Sequence, residues 1–337
     1  MSGRFGTKPP RALFLSDLGP GPPADRVLSG PQRFARAFAD AAASKFDLSV
    51  VNISEGNKLS RSLACLGRYD IYHVSGVSFL EPVLAGLRAG KRLVYTAHGI
   101  AIQERAMGYS YPARLIGAEG FLVRRSRAVV SVSDTLGARI AEEYPFARTR
   151  IRVIPPLVAP EITARKPEDP GFPRPYILFP GAGPTKGLAH ALRAFDIVRR
   201  DAPELSLVVI SDSRAPGLPG VVWSKPLATG LLVGAYLGAE LIINTSDYES
   251  FGLPVAEAAA LGKPFLVSRN SGVSEYASER FPDLVVDPSD HEALAGKIAL
   301  ILGNPPDPDS LVSWAQRFSA ERVLGEYLEL YREISAT

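Results

Sequence analysis

One stretch, residues 241–275, constrains this chain of 337 residues more than any other. It begins with the apolar run 241–243 and the polar residues 244–247, and a turn at Gly252 then leads to Pro254 and an alanine-rich segment. Proline is well tolerated in the first turn of a helix, so the predicted order is strand, tight loop and helix. A loop that leads into a helix N-terminus presents unpaired N–H groups and the positive end of the helix dipole. The stretch is therefore suited to binding phosphate.

Two glutamates flank this loop, Glu249 before it and Glu257 within the predicted helix. Their spacing of eight positions places one at the mouth of a site and the other about one turn along the helix. An ordinary strand, turn and helix with two solvated glutamates would have the same spacing. The two glutamates alone leave both explanations open.

The residues between and after the glutamates carry a family resemblance. The sequence ESFGLPVAE from Glu249 to Glu257, continued by AAALGKP, resembles the E-x7-E signature of retaining GT-B glycosyltransferases of family 4, also called glycosyl transferases group 1. In that family the first Glu lies at the donor sugar, the loop N–H groups meet the diphosphate and the second Glu binds the ribose hydroxyls. The resemblance implies these roles for Glu249, for Phe251, Gly252 and Leu253, and for Glu257.

A second glycine-rich loop follows the predicted strand 176–179 and reads PGAGPTKG over residues 180–187. Glycines such as Gly183 let the backbone approach a ligand, and the Lys186 side chain is able to reach a phosphate. The family pattern here is G-R-x-x-x-K-G, so the resemblance implies that Gly183 and Lys186 bind the donor. A glycine-rich connection with a surface lysine is the alternative. The loop is not a P-loop, because no G-K-[ST] ends it.

This second loop departs from the family pattern at one position, where Ala182 replaces the arginine. One of the two cations that the resemblance places on the diphosphate is therefore missing. Either donor binding is weaker or another arginine compensates, and we consider Arg214 and Arg269 as candidates.

In the first half of the chain, two positions are candidates for contact with the donor. The predicted strand 93–96 is followed by His98, and open α/β sheets bind ligands at the carboxyl ends of their strands. This strand end also resembles the family's T-x-H-[GD] motif, whose His meets the sugar hydroxyls and the reacting centre. Gly30, which follows the predicted helix cap Ser29, matches the family's glycine-rich loop, although a lone turn glycine is the alternative. For His73 we expect buried structural packing.

Composition limits the class of protein. Hydrophobic residues make up 46% and charged residues 22% of the chain, as in a globular protein. The single cysteine, Cys65, excludes an internal disulfide framework and a cysteine-based zinc cluster. No apolar run approaches the length of a membrane span, and the apolar part of residues 1–17 is only about four residues long, too short for a signal peptide. We therefore expect a cytoplasmic protein.

Charge is distributed unevenly along the chain. Residues 1–160 carry 22 Lys and Arg against 12 Asp and Glu, whereas residues 161–337 carry 16 against 23. A basic half favours an anionic partner such as a phospholipid surface or a phosphorylated acceptor, but solvated charge explains it equally well. The amphipathic segment 114–127 is similarly open, because it suits peripheral contact with anionic lipid or packing by one face with its arginines in solvent.

Seven prolines in residues 155–175 mark a boundary between two halves in which strands and helices alternate. We expect a first, acceptor-side domain over residues 1–160, a stiff linker over 161–175 and a nucleotide-sugar-binding domain over 176–317. The resemblance also implies a C-terminal helix over 318–337 that crosses back to the first domain. The predicted fold class is α/β, with two doubly wound Rossmann-like domains facing across a cleft, the GT-B fold.

The resemblance implies a glycosyltransferase that moves a hexose, with retention, from a UDP- or GDP-linked sugar to a glycan, lipid-linked or small-molecule acceptor. No D-x-D follows an apolar strand, so we expect a metal-independent reaction, with no cofactor beyond the donor and no nucleic-acid partner. We assign catalytic roles to His98, Glu249 and Lys186, and donor-binding roles to Gly30, Gly183, Lys186, Phe251, Gly252, Leu253 and Glu257.

Other functions stay open. A nucleotide-sugar epimerase or a phosphorylase is possible on the same fold. A catalytically weak sugar-nucleotide-binding subunit is a third alternative, which Ala182 favours. A dinucleotide oxidoreductase has less support, because no G-x-G-x-x-G follows the first predicted strand.

Overall fold

The computed structural model describes residues 9–19, 28–78, 80–181, 183–211 and 217–336. Their strands are β1 Arg11–Ser16, β2 Asp47–Asn52, β3 Ile71–Ser75, β4 Leu93–Ala97, β5 Ala128–Ser131, β6 Ile151–Val153, β7 Tyr176–Pro180, β8 Ser206–Ile210, β9 Val221–Ser224, β10 Leu241–Asn244, β11 Phe265–Ser268 and β12 Val285–Val286. Their α-helices are α1 Gly30–Ala42, α2 Lys58–Cys65, α3 Leu80–Ala89, α4 Ala101–Ala106, α5 Ala113–Arg125, α6 Asp134–Glu143, α7 Pro160–Ala164, α8 Leu188–Val198, α9 Thr229–Gly238, α10 Leu253–Ala260, α11 Val273–Arg280, α12 His291–Gly303, α13 Pro308–Ala315 and α14 Ala320–Ser335.

The strands form two parallel sheets of six, each the centre of one domain. The first sheet has the order β2-β1-β3-β4-β5-β6 and the second the order β12-β11-β10-β7-β8-β9. Helices cover both faces, which is why most of the central strands are buried along their whole length and read as continuous apolar runs. The predicted fold class is confirmed.

The strand order reverses direction at one place in each sheet, beside β1 in the first and beside β7 in the second. Crevices outside the carboxyl ends of strands at such switch points are where open α/β sheets bind ligands. In the second sheet β7 lies next to β10, so the loops that follow these two strands are neighbours. These are the glycine-rich loop with Lys186 and the loop with Glu249.

Helix α1 begins as its sequence predicts. The Ser29 side chain accepts a hydrogen bond from the Gln32 backbone N–H, and the Gln32 side chain accepts one from the Ser29 N–H. This reciprocal capping box satisfies two N–H groups that a helix start leaves without partners. The apolar face of α1, including Phe34 and Phe38, is buried. The cap fixes the position at which Gly30 enters the helix.

Helix α14 crosses back from the end of the second domain and packs on the first. Tyr331 and Tyr327 are fully buried there beside His73 and Thr96. The His73 Nδ1 lies 2.6 Å from the Tyr331 hydroxyl and its Nε2 lies 2.8 Å from the Thr96 hydroxyl, which is 3.1 Å from the Tyr327 hydroxyl. Burial lowers the pKa of His73 to about 3, so the ring is neutral. His73 is therefore a structural residue, as expected.

One segment differs from the expected extended linker, and a second adopts one of its two open alternatives. The connection between the domains begins with the short helix α7, whose Ile162 is buried, rather than with extended chain. Helix α5 turns its apolar residues Leu122 and Val123 inward and leaves Arg124 exposed, which is the packed alternative for this segment. Within the described ranges, no helix is both long enough and apolar enough to cross a bilayer.

Candidate active site

A cavity of about 790 Å³ lies between the two domains. Its walls include seven of the predicted site residues, namely Gly30, His98, Lys186, Glu249, Phe251, Gly252 and Leu253. Gly183 is not part of the wall but lies directly behind Tyr109, which is. A methyl group added to Gly183 would lie 3.0 Å from the Tyr109 hydroxyl. Glu257 is also outside the wall. The structure therefore brings most of the predicted site together.

The centre of the site in the second domain is an ion pair between Lys186 and Glu249. The Lys186 Nζ donates to the Glu249 Oε2, and the two side chains are 25% and 15% exposed. Partial burial makes such a pair stronger than one on the surface, because less water screens the charges. The pair thus places a positive and a negative side chain together at the edge of the cavity.

Hydrogen bonds between the two loops hold this ion pair in place. The Thr245 hydroxyl donates to the Gly187 carbonyl at 2.9 Å, and the Asp247 N–H donates to the Thr185 carbonyl at 2.8 Å. Gly187 has φ of +67°, which glycine adopts without strain. A methyl group at Gly187 would overlap the carbonyl oxygen of Thr245. The close approach of the loops therefore depends on this glycine.

Helix α10 begins at the wall of the cavity. Gly252 is its N-cap residue with φ of +107°, and Pro254 lies in the first turn, as its position in the sequence predicts. The first N–H groups of a helix have no acceptor within it and carry the positive end of its dipole. Because Gly252 and Leu253 line the cavity, these groups are placed to bind an anion there.

Glu257 lies one turn further along α10 and is only 1% exposed. Its Oε2 accepts a hydrogen bond of 2.8 Å from the Tyr236 hydroxyl, and its Oε1 lies 3.6 Å from the Arg33 Nη2 of the first domain. Tyr236 and Arg33 both line the cavity. Glu257 is therefore one residue behind the wall, and a ligand reaches it past these two side chains.

On the opposite wall, His98 follows β4. Its Nε2 lies 2.9 Å from the Ser75 hydroxyl, and its ring packs edge-on against Phe34 with ring centres 5.0 Å apart. Burial lowers the pKa of His98 to about 4, so the ring is neutral near pH 7. A neutral imidazole suits hydrogen bonds to sugar hydroxyls better than binding of phosphate.

Polar contacts join the two domains around the cavity. Both carboxylate oxygens of Glu275 accept hydrogen bonds from the first N–H groups of α6, at Asp134 and Thr135. The Ser133 hydroxyl donates to the Ser250 carbonyl at 2.7 Å. These contacts position the loop of Glu249 against the first domain, so Glu275 acts here as an interdomain helix cap.

The structure adds site residues that the sequence reasoning missed, chiefly Arg33, Tyr109 and Tyr236. Arg33 lies one turn after Gly30, so the helical period from a suspected loop would have found it. Tyr236 gives no local signal, since it lies on a helix that is apolar all round. Of the two candidate compensating arginines, Arg269 pairs with Asp287 at 2.6 Å and does not line the cavity, so it does not compensate.

Ala182 and the other candidate arginine, Arg214, lie outside the described residues.

Comparisons with known proteins agree with this geometry. The family "Glycosyl transferases group 1" matches residues 163–318, and "Glycosyltransferase Family 4" matches residues 16–162. A protein of Saccharomonospora viridis named D-inositol 3-phosphate glycosyltransferase is 28% identical over 80% of this chain and 71% of its own length. One of Segniliparus rotundus with the same name is 26% identical over 73% of this chain, which spans only 62% of that relative.

Solved structures show the same architecture at low sequence identity. Sucrose-phosphate synthase from Thermosynechococcus elongatus has a TM-score of 0.71 at 18% identity, covering 97% of this chain and 99% of that one. Anabaena Alr3699/HepE in complex with UDP and glucose has a TM-score of 0.67 at 16% identity, covering 95% and 99%. The chain therefore belongs to the glycosyltransferases of group 1 and family 4 and has their two-domain GT-B fold.

Proposed function

We propose that the protein is a retaining glycosyltransferase that moves a hexose from a UDP- or GDP-linked sugar to a glycan, lipid-linked or small-molecule acceptor. The observation that carries this proposal is the Lys186–Glu249 ion pair, which lies at the N-terminus of α10 and faces His98 across the cavity. Family membership and the E-x7-E spacing support retention.

The chemistry follows from where charge develops. As the bond to the sugar breaks, negative charge collects on the departing diphosphate, and the α10 N–H groups and Lys186 stabilise it. Neutral His98 orients the sugar through its hydroxyls. Glu249 holds Lys186 and lies beside the sugar, and we favour same-face attack by the acceptor over a covalent intermediate. Closure of the two domains excludes water from the reaction.

Two observations support an anionic or polyol acceptor bound on the first domain. The curated relatives are named for D-inositol 3-phosphate. Residues 1–160 carry 22 basic against 12 acidic side chains, which attract anions. We therefore place a phosphorylated polyol first in the acceptor panel, followed by lipid-linked sugars.

A thermal-shift screen tests the donor. The screen compares UDP, GDP and ADP. We expect only one of them, UDP or GDP, to raise the melting temperature, because a ligand that binds only the folded state stabilises it. We expect the same shift, and the same turnover, in excess chelator, since we propose that no metal takes part. The absence of a shift with all three nucleotides and their sugars would contradict the proposal.

The same assay separates the alternatives. Product from donor alone indicates an epimerase, and product that requires inorganic phosphate indicates a phosphorylase. Nucleotide binding without turnover over the whole acceptor panel indicates a binding subunit. Retention is read from the anomeric configuration of the product by NMR.

We also propose a peripheral contact with an anionic membrane, through a surface that we call the leucine patch. Its residues are the most exposed leucines of the first domain, Leu59 (67%), Leu63 (60%), Leu66 (48%) and Leu87 (58%). The first three recur at helical spacing along α2 and its end, and Leu87 belongs to the adjoining helix α3. An apolar stripe that faces solvent indicates an interaction surface.

Charge around the leucine patch favours an anionic bilayer over another protein surface. Lys58, Arg68 and Lys91 are exposed, and each lies within four positions of a patch residue along the chain. Basic side chains beside apolar ones match the headgroup and acyl layers of an anionic bilayer. Helix α2 begins after the carboxyl end of β2, and the cavity also lies at the carboxyl edge of the first sheet. Cytoplasmic localisation itself stays a prediction.

Sedimentation with vesicles tests the leucine patch. We expect the wild-type protein to bind vesicles that contain about one-third phosphatidylglycerol, less so in high salt. The Leu59→Glu, Leu63→Glu double variant should bind at least about tenfold more weakly, because each buried leucine contributes about 1.5–3 kcal/mol. Leu300→Glu is the control, since Leu300 is 56% exposed on the second domain. Equal binding of both variants, or a dimer that only the double variant abolishes, would contradict the proposal.

A further inference from the structure

Arg33 is a cation of the first domain whose hydrogen-bonding capacity is largely unused. Its side chain reaches Glu257 of the second domain behind the cavity wall, where the Nη2–Oε1 distance is 3.6 Å. Its Nε is buried and has no hydrogen-bond partner among the described residues. Among the described residues that line the cavity, Arg33, Lys186 and Lys225 are the only lysines and arginines.

The ion pair with Glu257 is loose by the standards of such contacts. Charge-assisted N–H···O bonds are about 2.7–2.9 Å long, and a guanidinium carries five N–H donors in a planar fork. A buried donor without a partner is costly to the fold. Arg33 is therefore suited to oxygen atoms that a ligand brings, and its fork matches the geometry of a phosphate.

The position of Arg33 is close to the expected diphosphate site. Gly30, one turn before it, adjoins the first residue of α10, since a methyl group at Gly30 would lie 4.0 Å from the Leu253 side chain. The N-terminus of α10 is where the proposed function places the diphosphate. Position 182, where the family has its second phosphate-binding cation, is alanine in this chain.

We propose, on the basis of the proposed function, that Arg33 is a donor-binding residue that replaces the missing cation from the opposite domain. Glu257 holds the guanidinium beside the site. When the ribose hydroxyls of the donor bind Glu257, the guanidinium turns to the phosphate oxygens, and its unpartnered Nε gains an acceptor. The donor then connects α1 of the first domain to α10 of the second, so that binding and closure of the cleft are coupled.

The experiment separates binding of phosphate from positioning of Glu257. It uses thermal-shift titrations of a nucleoside and its diphosphate, in the uridine, guanosine and adenosine series, with the full-length protein and Arg33→Ala. We expect the affinity for the diphosphate to fall about 10- to 100-fold and the affinity for the nucleoside to stay within about twofold. Arg33→Lys should restore only part of the loss, because an ammonium lacks the planar fork.

Arg36→Ala is the matched control. Arg36 lies one turn further along α1, and its guanidinium donates to the Leu18 and Gly19 carbonyls away from the cavity. We expect this variant to bind both ligands as the wild type does.

Two results would overturn the proposal. An equal fall in nucleoside and diphosphate affinity would leave Arg33 only a positioning residue for Glu257, and unchanged affinity for both would remove it from the site. In either case the proposed function survives, because the wild-type protein binds the nucleotide. If no nucleotide binds the wild-type protein, the proposed function and the role of Arg33 fail together.

Discussion

Lys186→Ala is expected to lower turnover by roughly one to three powers of ten, the scale of losing one group that stabilises charge in the transition state. The Lys186 Nζ is the ion-pair partner of Glu249 at the N-terminus of α10. Glu249→Ala should cause a loss of similar size, because it removes the group that orients the lysine. Since the two act as one unit, the double variant should lose little more than the worse single variant.

Steady-state kinetics with the donor found by the thermal-shift screen measures these losses. Lys297→Ala is the control, because Lys297 forms an ion pair with Asp283 on the surface of the second domain at 2.8 Å. We expect it to keep wild-type turnover. Wild-type rates in Lys186→Ala or Glu249→Ala would show that the pair does not act at the reacting centre. Losses that simply add in the double variant would show that the two residues do not act as one unit.

Gly187→Ala is expected to lower the free energy of unfolding by roughly 2–5 kcal/mol, through a left-handed backbone angle and an overlap. The methyl group would overlap the carbonyl oxygen of Thr245. Neither the new Cβ nor this backbone oxygen can rotate away, because the backbone fixes the position of each. The loops after β7 and β10 must then separate, which also moves Lys186 away from Glu249. We expect turnover to fall with stability in this variant.

Chemical denaturation measures the stability change. Gly296→Ala is the control, because Gly296 lies within α12 and an added methyl group has nothing within 4 Å. Alanine in a helix interior is better by about 0.5–1 kcal/mol than glycine, so this variant should be as stable as the wild type or more so. A Gly187→Ala protein of wild-type stability and activity would mean that the two loops do not depend on each other.

The sequence predicts this fold well because both faces of each sheet are covered. Buried parallel strands are continuous apolar runs, so strands such as β4, β7 and β10 have nearly the limits that their sequences predict. The strand ends then locate the site, because ligands bind at the carboxyl edge. For this reason Lys186, Glu249 and His98, which follow three different strands, lie around one cavity as expected.

Contacts between the domains could not be predicted in the same way. Whether Arg33 reaches Glu257, or Glu275 caps α6, depends on how one domain is oriented on the other, and no local pattern encodes that. A similar limit applies to His190 and His291, which lie on two different helices, α8 and α12. Their rings pack together, with the His190 Nδ1 2.9 Å from the His291 Nε2, because α8 and α12 are neighbours.

The return of α14 to the first domain determines when that domain can complete its packing during synthesis. Tyr327 and Tyr331 cover Phe38 and His73, yet about 250 to 290 residues separate the two groups in the chain. While the ribosome is still translating the second domain, one face of the first sheet lacks its cover and exposes aromatic rings to water. We therefore expect the nascent first domain to stay incompletely packed until α14 has emerged from the exit tunnel.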